Sequence, residues 1–168
     1  MHAFAEWLST TAPSVAIQTR FWFIRVLQAT HLITAGVALA SGLMISLRVL
    51  QLQRADQPFD ALWARFAPWL TASLAVMFLT GLAQTLGDPV REFTATSYWV
   101  KVTLVLCCVA GTLWFSRSAG RTPPPVTHFP FAAKLAAGAL IVFWLLLPLL
   151  GRMIAYDKAI WGALSLRT

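Results

Sequence analysis

Four long apolar runs, separated by short polar stretches, organise this chain. They cover about residues 21–50, 66–85, 98–116 and 133–156. Each approaches or exceeds the ~20 residues a helix needs to cross a bilayer. Lipid offers backbone groups no partner, so segments of this kind pair their N–H and C=O groups internally, as helices. Buried helices of a soluble bundle would keep a polar face, which these runs largely lack. In the first run the centre from Val26 to Leu47 is uncharged apart from one histidine. The second is expected to open with Pro68 in its first turn, where a missing N–H costs little. Pro148 falls inside the fourth, where it removes its own hydrogen bond, clashes with the Trp144 carbonyl and predicts a kink. The expected architecture is all-α: a four-transmembrane-helix bundle of up-down topology with short loops, one integral membrane domain over residues 1–168.

The connections are polar and brief. Residues 51–65 carry Arg54, Asp56, Pro58 and Asp60, and residues 87–97 carry Asp88, Pro89, Arg91 and Glu92. Residues 117–132 hold the run Pro123, Pro124 and Pro125, a stiff extended spacer. No loop is large enough to fold alone. The chain is therefore not expected to be a self-contained enzyme, and soluble chemistry would come from a partner. Residues 3–10 read either as a short surface helix, with Phe4, Trp7 and Leu8 on one face, or as a frayed tail. The start shows no basic n-region or early apolar core of a cleavable signal.

Composition sharpens the membrane reading. The chain is 58% hydrophobic and 11% charged, with a mean hydropathy of +0.70, whereas soluble domains carry about 25% charged residues. Its net charge of +7 comes from basic residues scattered around apolar runs, without the patch that nucleic acid requires. Cys107 and Cys108 are adjacent in an apolar run and read as small fillers. The lipid bilayer is the expected solvent, and a bacterial inner membrane the expected location. Lys and Arg near the helix ends set orientation. Arg48, Arg54, Arg65, Arg117, Arg121 and Lys134 fall on one side. Arg20, Arg25, Arg91, Lys101, Arg152, Lys158 and Arg167 fall on the other. Discounting Arg25, Lys101 and Arg152 as intrahelical places both termini on the periplasmic side. Seven of the eight tryptophans, all but Trp144, lie in a terminal segment or near an expected helix end, as an aromatic belt requires.

Soluble-enzyme motifs are absent, so chemistry would rest on polar groups within the spans, which are costly to bury. His31 lies about 8 Å below the edge of the first span's uncharged centre. His31, Ala35, Ala38 and Gly42 form a stripe in which every residue below the histidine is small, with Gln28 one turn above. Such a stripe either lets a helix approach closely or leaves room for a flat cofactor. Three roles stand for His31: a hydrogen bond across helices, haem ligation, or proton or metal traffic. Lys101 and Arg152 are expected at the depth of His31, with Arg25 and Tyr156 just above and Gln84 on the second helix. No buried carboxylate is evident at that level, so the cations call for an outside anion, such as a haem propionate, a lipid phosphate or the carbonyl of a quinone. Met153 is at similar depth, which raises a His/Met axial pair. Each charge has a plainer reading as a snorkelling side chain.

A resemblance adds to this. The stretch Gln28-Ala-Thr-His31-Leu-Ile-Thr-Ala-Gly36, the run Tyr98-Trp-Val-Lys101 and the ending Gly151-Arg152-Met-Ile-Ala-Tyr156 resemble a family, of unknown function, of small four-helix bacterial inner-membrane proteins. More distantly, the histidine and lysine helices resemble copper-resistance CopD-like membrane proteins and b-type cytochrome subunits. The resemblance implies a redox-type membrane subunit with a haem b or quinone pocket near the outer leaflet. Gln28, His31, Lys101, Arg152, Met153 and Tyr156 would form that pocket. The cytochromes pair two membrane histidines, whereas this chain offers one. A symmetric homodimer would supply His31 twice. The competing readings are an anchor for a partner membrane or periplasmic subunit, and a small-solute or metal-handling protein with His31 as metal ligand.

Overall fold

A computed structural model describes residues 2–53, 56–119 and 129–166. Among these the chain is helical, with no strand. Its elements are α1 (His2–Ser9), α2 (Ala12–Gln18), α3 (Phe21–Val49), α4 (Phe59–Gly87), α5 (Pro89–Phe93), α6 (Thr96–Ala119), α7 (Phe131–Met153) and α8 (Asp157–Trp161). A 3-10 turn precedes α8 and another follows it. The triproline run, with Arg54, Arg121, His128 and Arg167, lies outside the described residues.

Four segments are long and apolar enough to cross a membrane: Trp22–Val49, Phe59–Gly87, Thr96–Trp114 and Phe131–Leu164. Their outward faces are greasy. Leu32 is 71% and Ile33 69% exposed, and Phe78, Leu106 and Leu135 are exposed as well. In water such a surface would aggregate; in a bilayer it faces acyl chains. The chain is a multi-pass membrane protein on these grounds.

α4 starts earlier than the sequence pattern suggests. Pro58 is its N-cap, and Pro68 sits in the helix interior rather than in the first turn. Burial explains the extension. Phe59 and Leu62 join the core, and the Phe59 ring meets Phe129 edge-on at 5.2 Å. Packing of that turn outweighs the hydrogen bond that Pro68 removes. In α7, Pro148 lies within the helix.

Packing follows the small residues. α3 runs along α4 and α7, and α6 runs along α7, while α4 and α6 make little contact. A Cβ added at Gly42 would lie 2.4 Å from Trp144 Cε2, so the α3 glycine gives its space to the α7 indole. Trp144 is only 3% exposed. Leu140 fills the space beside Gly111 in the same way, closing α6 on α7. Without a hydrophobic force between helices in lipid, close approach of this kind is a main source of association.

One end of the bundle, the α5 end, is covered by α1, α2, α5 and α8. Residues 2–18 are helical rather than frayed. α1 packs on α5, and Phe4 meets Phe93 edge-on at 5.8 Å. α2 packs on α4, with Ser14 Oγ donating to Leu86 O at 2.5 Å. The opposite end is clasped by Arg48, which is fully buried and donates from Nε to Gln57 O at 2.8 Å. Arg48 is thus a fold residue and not a free loop charge, whereas Arg25 and Arg152 are exposed. Both corrections bear on the orientation expected from charge. A long side chain near a helix end reaches the interface even when its Cα lies in the span.

Candidate functional site

Intramembrane polarity is concentrated at the α5 end. His31 is half-buried on α3, and its Nδ1 is 2.8 Å from Thr80 Oγ1 on α4. The Thr80 hydroxyl donates within its own helix, to Val76 O at 2.8 Å and Met77 O at 3.2 Å. Either member of the His31–Thr80 pair can be the donor, because the Thr80 proton serves the backbone or the ring according to the imidazole tautomer. The bond across helices is the plainest of the three roles read for His31. The Gly81 backbone faces the ring closely: an added Cβ would lie 3.5 Å from His31 Cε1.

Lys101 is half-buried on α6 at the same end of the bundle. Glu92 is buried on α5 and accepts from Arg91 Nη2 at 3.4 Å. This corrects the expectation that the level holds no buried carboxylate. The loop doubles back as α5 and brings one in, paired with Arg91.

The other expected site residues separate from this pair. Arg152 is exposed, with its guanidinium carbon 5.6 Å from the centroid of the exposed Tyr156 ring. That cation–π pair stands on the surface of α7. Met153 is half-buried at the last residue of α7. Gln28 is exposed one turn before His31 and lines a cavity of about 180 Å³ with Ile24, Gln84, Gly87, Asp88, Arg91 and Glu92. Gln84 Nε2 donates to Thr80 O at 3.3 Å. Asp88, at the N-cap of α5, accepts from Arg91 N at 3.3 Å and pairs with Arg91 Nε at 3.4 Å.

The stripe below His31 settles between a packed helix and an open slot. Ala38 is fully buried and Gly42 is covered by Trp144. The lower part of that face, at Ala38 and Gly42, has no space for a flat ring. Among the described residues no three His, Cys, Asp or Glu side chains gather to hold a metal ion.

Asp157, which no sequence motif singles out, anchors the α5 end. It is fully buried. Its Oδ1 accepts from Ser97 N at 2.8 Å and Ser97 Oγ at 2.7 Å. Its Oδ2 accepts from Thr96 N at 3.1 Å and Ser165 Oγ at 2.6 Å. The carboxylate therefore caps the first N–H groups of α6 from 60 residues away, where helix ends need acceptors. Trp161 Nε1 donates to Ser97 Oγ at 2.8 Å and closes the knot. This knot fixes the first turn of the helix that carries Lys101.

The fold and site define a multi-pass membrane protein with a polar cluster at one membrane boundary. No protein-family model, curated protein or solved structure matches the chain.

Proposed function

We infer that this chain is a redox-type subunit of a bacterial inner membrane, and that its site takes the headgroup of a quinone or quinol. The spans alternate up and down in this reading. One observation carries it: His31, a titratable ring within a span, is held across helices by Thr80 at 2.8 Å, while Lys101 is half-buried on α6 at the same end of the bundle. A quinol hydroxyl needs an acceptor, which the unprotonated nitrogen of a neutral imidazole supplies. A quinone carbonyl needs a donor, which the ammonium supplies. Both groups sit among apolar helices, where a lipid-soluble ring arrives from the side. α4 and α6 pack loosely enough to admit it. The haem version lacks the second membrane histidine that the cytochromes pair, since His31 is the one histidine in the spans. The likeness of the histidine and lysine helices to b-type cytochrome subunits belongs to this proposal and points the same way. With only short connections in this chain, the electron partner is another protein.

Binding tests it directly. In nanodiscs, a short-chain quinone analogue should quench tryptophan fluorescence saturably. His31→Ala and Lys101→Met should each weaken binding by about tenfold or more, equivalent to ~1.4 kcal/mol. A folded wild-type protein that shows no saturable quenching overturns the reading. A Soret band in protein purified from haem-replete cells restores the haem alternative.

A further inference from the structure

The cavity at the α5 end has a composition that quinone binding does not require. Its walls are two amides (Gln28 and Gln84), two carboxylates (Asp88 and Glu92), one guanidinium (Arg91), Gly87 and a single aliphatic side chain, Ile24. A space of about 180 Å³ holds several waters, each occupying ~30 Å³ of the liquid. A cavity lined this way is wet, whereas a purely apolar one stays dry.

Its floor lies about one turn above the histidine, which is not itself part of the lining. Gln28 precedes His31 by three residues on α3, about 4.5 Å along the axis, and Gln84 follows Thr80 by four on α4, about 6 Å. The two residues joined by the His31–Thr80 bond thus lie one turn below the two amides that line the cavity. At the top, Asp88 and Arg91 are exposed and paired at 3.4 Å. Between top and floor lies Glu92, buried yet on the cavity wall. The charged or titratable groups around His31 are Lys101 on α6, Asp88, Arg91 and Glu92 at α5, and Arg25 on its own helix.

We propose that this cavity is a water-filled port that carries protons between bulk water at the α5 end and the His31 imidazole, with Glu92 as the proton-loading carboxylate. In the inward direction a hydronium gives its proton to the Glu92 carboxylate. The carboxylic acid passes it through cavity water to the neutral His31 ring, whose unprotonated nitrogen takes it to form imidazolium. Outward transfer reverses these moves, and no electron is transferred. Gln28 and Gln84 order the water and hold no proton themselves. The port deepens the quinone reading by giving the proton of a bound quinol a way out, but its geometry and its test stand without quinone.

The experiment uses the full chain in nanodiscs, free of quinone, with Cys107 and Cys108 changed to Ala and His2 and His128 to Gln. Gln28→Cys should react with a cationic methanethiosulfonate at least about tenfold faster than Ile33→Cys, because a thiol ionises only where water reaches it. Ile33 is the fair control, being 69% exposed and facing lipid. Equal rates overturn the port. Exchange of the His31 ring N–H with D2O, followed by NMR, should slow about tenfold or more in Glu92→Gln and recover in Glu92→Asp. Wild-type exchange in Glu92→Gln, with the Gln28→Cys reactivity retained, removes Glu92 from the path. Slow exchange that Glu92→Asp fails to restore assigns Glu92 to structure only, which also overturns its role. Failure of either assay leaves the quinone titration untouched, and failure of that titration leaves both assays readable.

Discussion

Gly42 and Trp144 show how one missing methyl group shapes this membrane core. The indole lies where a Cβ would be, 2.4 Å from its Cε2, and it is nearly inaccessible. Among the described residues its Nε1–H finds no acceptor, so the contact is held by shape alone. Gly42→Ala must displace the ring or separate α3 from α7, and overpacking of this kind costs ~1–3 kcal/mol. Gly36→Ala, on the same helix with nothing within 4 Å of the added atom, should be neutral or stabilising by up to ~1 kcal/mol. Thermal unfolding in detergent checks the pair, with the midpoint falling for Gly42→Ala and holding or rising for Gly36→Ala. The small stripe of His31, Ala35, Ala38 and Gly42 is legible in the sequence, because helical periodicity places those residues on one face. What covers the face is not legible. Periodicity names no neighbour, and the one tryptophan remote from the helix ends gives no hint that it fills a glycine.

At the scale of elements, the spans are readable because lipid enforces one rule along their whole length, while their ends answer to tertiary contacts. α4 extends back to Phe59 because Phe59 and Leu62 are buried, which no local signal around Pro68 reveals. α6 shows the same point more sharply. Thr96 and Ser97 open the helix, and their N–H groups are capped by Asp157, 60 residues and more along the chain. Glu92, too, enters the candidate site only because five residues of the loop coil into α5. Asp157→Ala leaves two backbone donors and the Ser97 and Ser165 hydroxyls short of an acceptor, and should cost ~2–4 kcal/mol. Trp161→Phe removes one hydrogen bond and should cost ~1 kcal/mol. The measurement is thermal unfolding together with limited proteolysis. Asp157→Ala should release residues after Met153 to cleavage, and an unchanged digestion pattern would show that the knot does not hold them.

For the whole molecule, burial changes the argument about orientation. Basic side chains retain a protein on the cytoplasmic face only where they reach the interface. Arg48 is buried against the Gln57 carbonyl and drops out of the count at its end. Arg65 and Arg117 are exposed there, and Lys134 is half-buried and donates to Gln51 Oε1 at 2.9 Å. At the α5 end, Arg20, Arg25, Arg91, Arg152 and Lys158 are all exposed. The two arginines that looked intrahelical from position alone snorkel to the same boundary. The acids opposing them at that end include Glu92 and Asp157, both buried, and acids weigh little in this rule in any case. Counting Arg25 and Arg152 as retention charges predicts the α5 end on the cytoplasmic side, whereas counting loop charges alone, with Arg54 and Arg121, predicts the reverse. On the first count, in a background free of Cys107 and Cys108, Lys158→Cys should resist a membrane-impermeant maleimide in intact cells and react once the membrane is opened. Leu52→Cys, at the far end and 69% exposed, should react in both conditions. The opposite labelling pattern would mean that Arg25 and Arg152 do not act as retention charges, and would place the water port of His31 on the outer face.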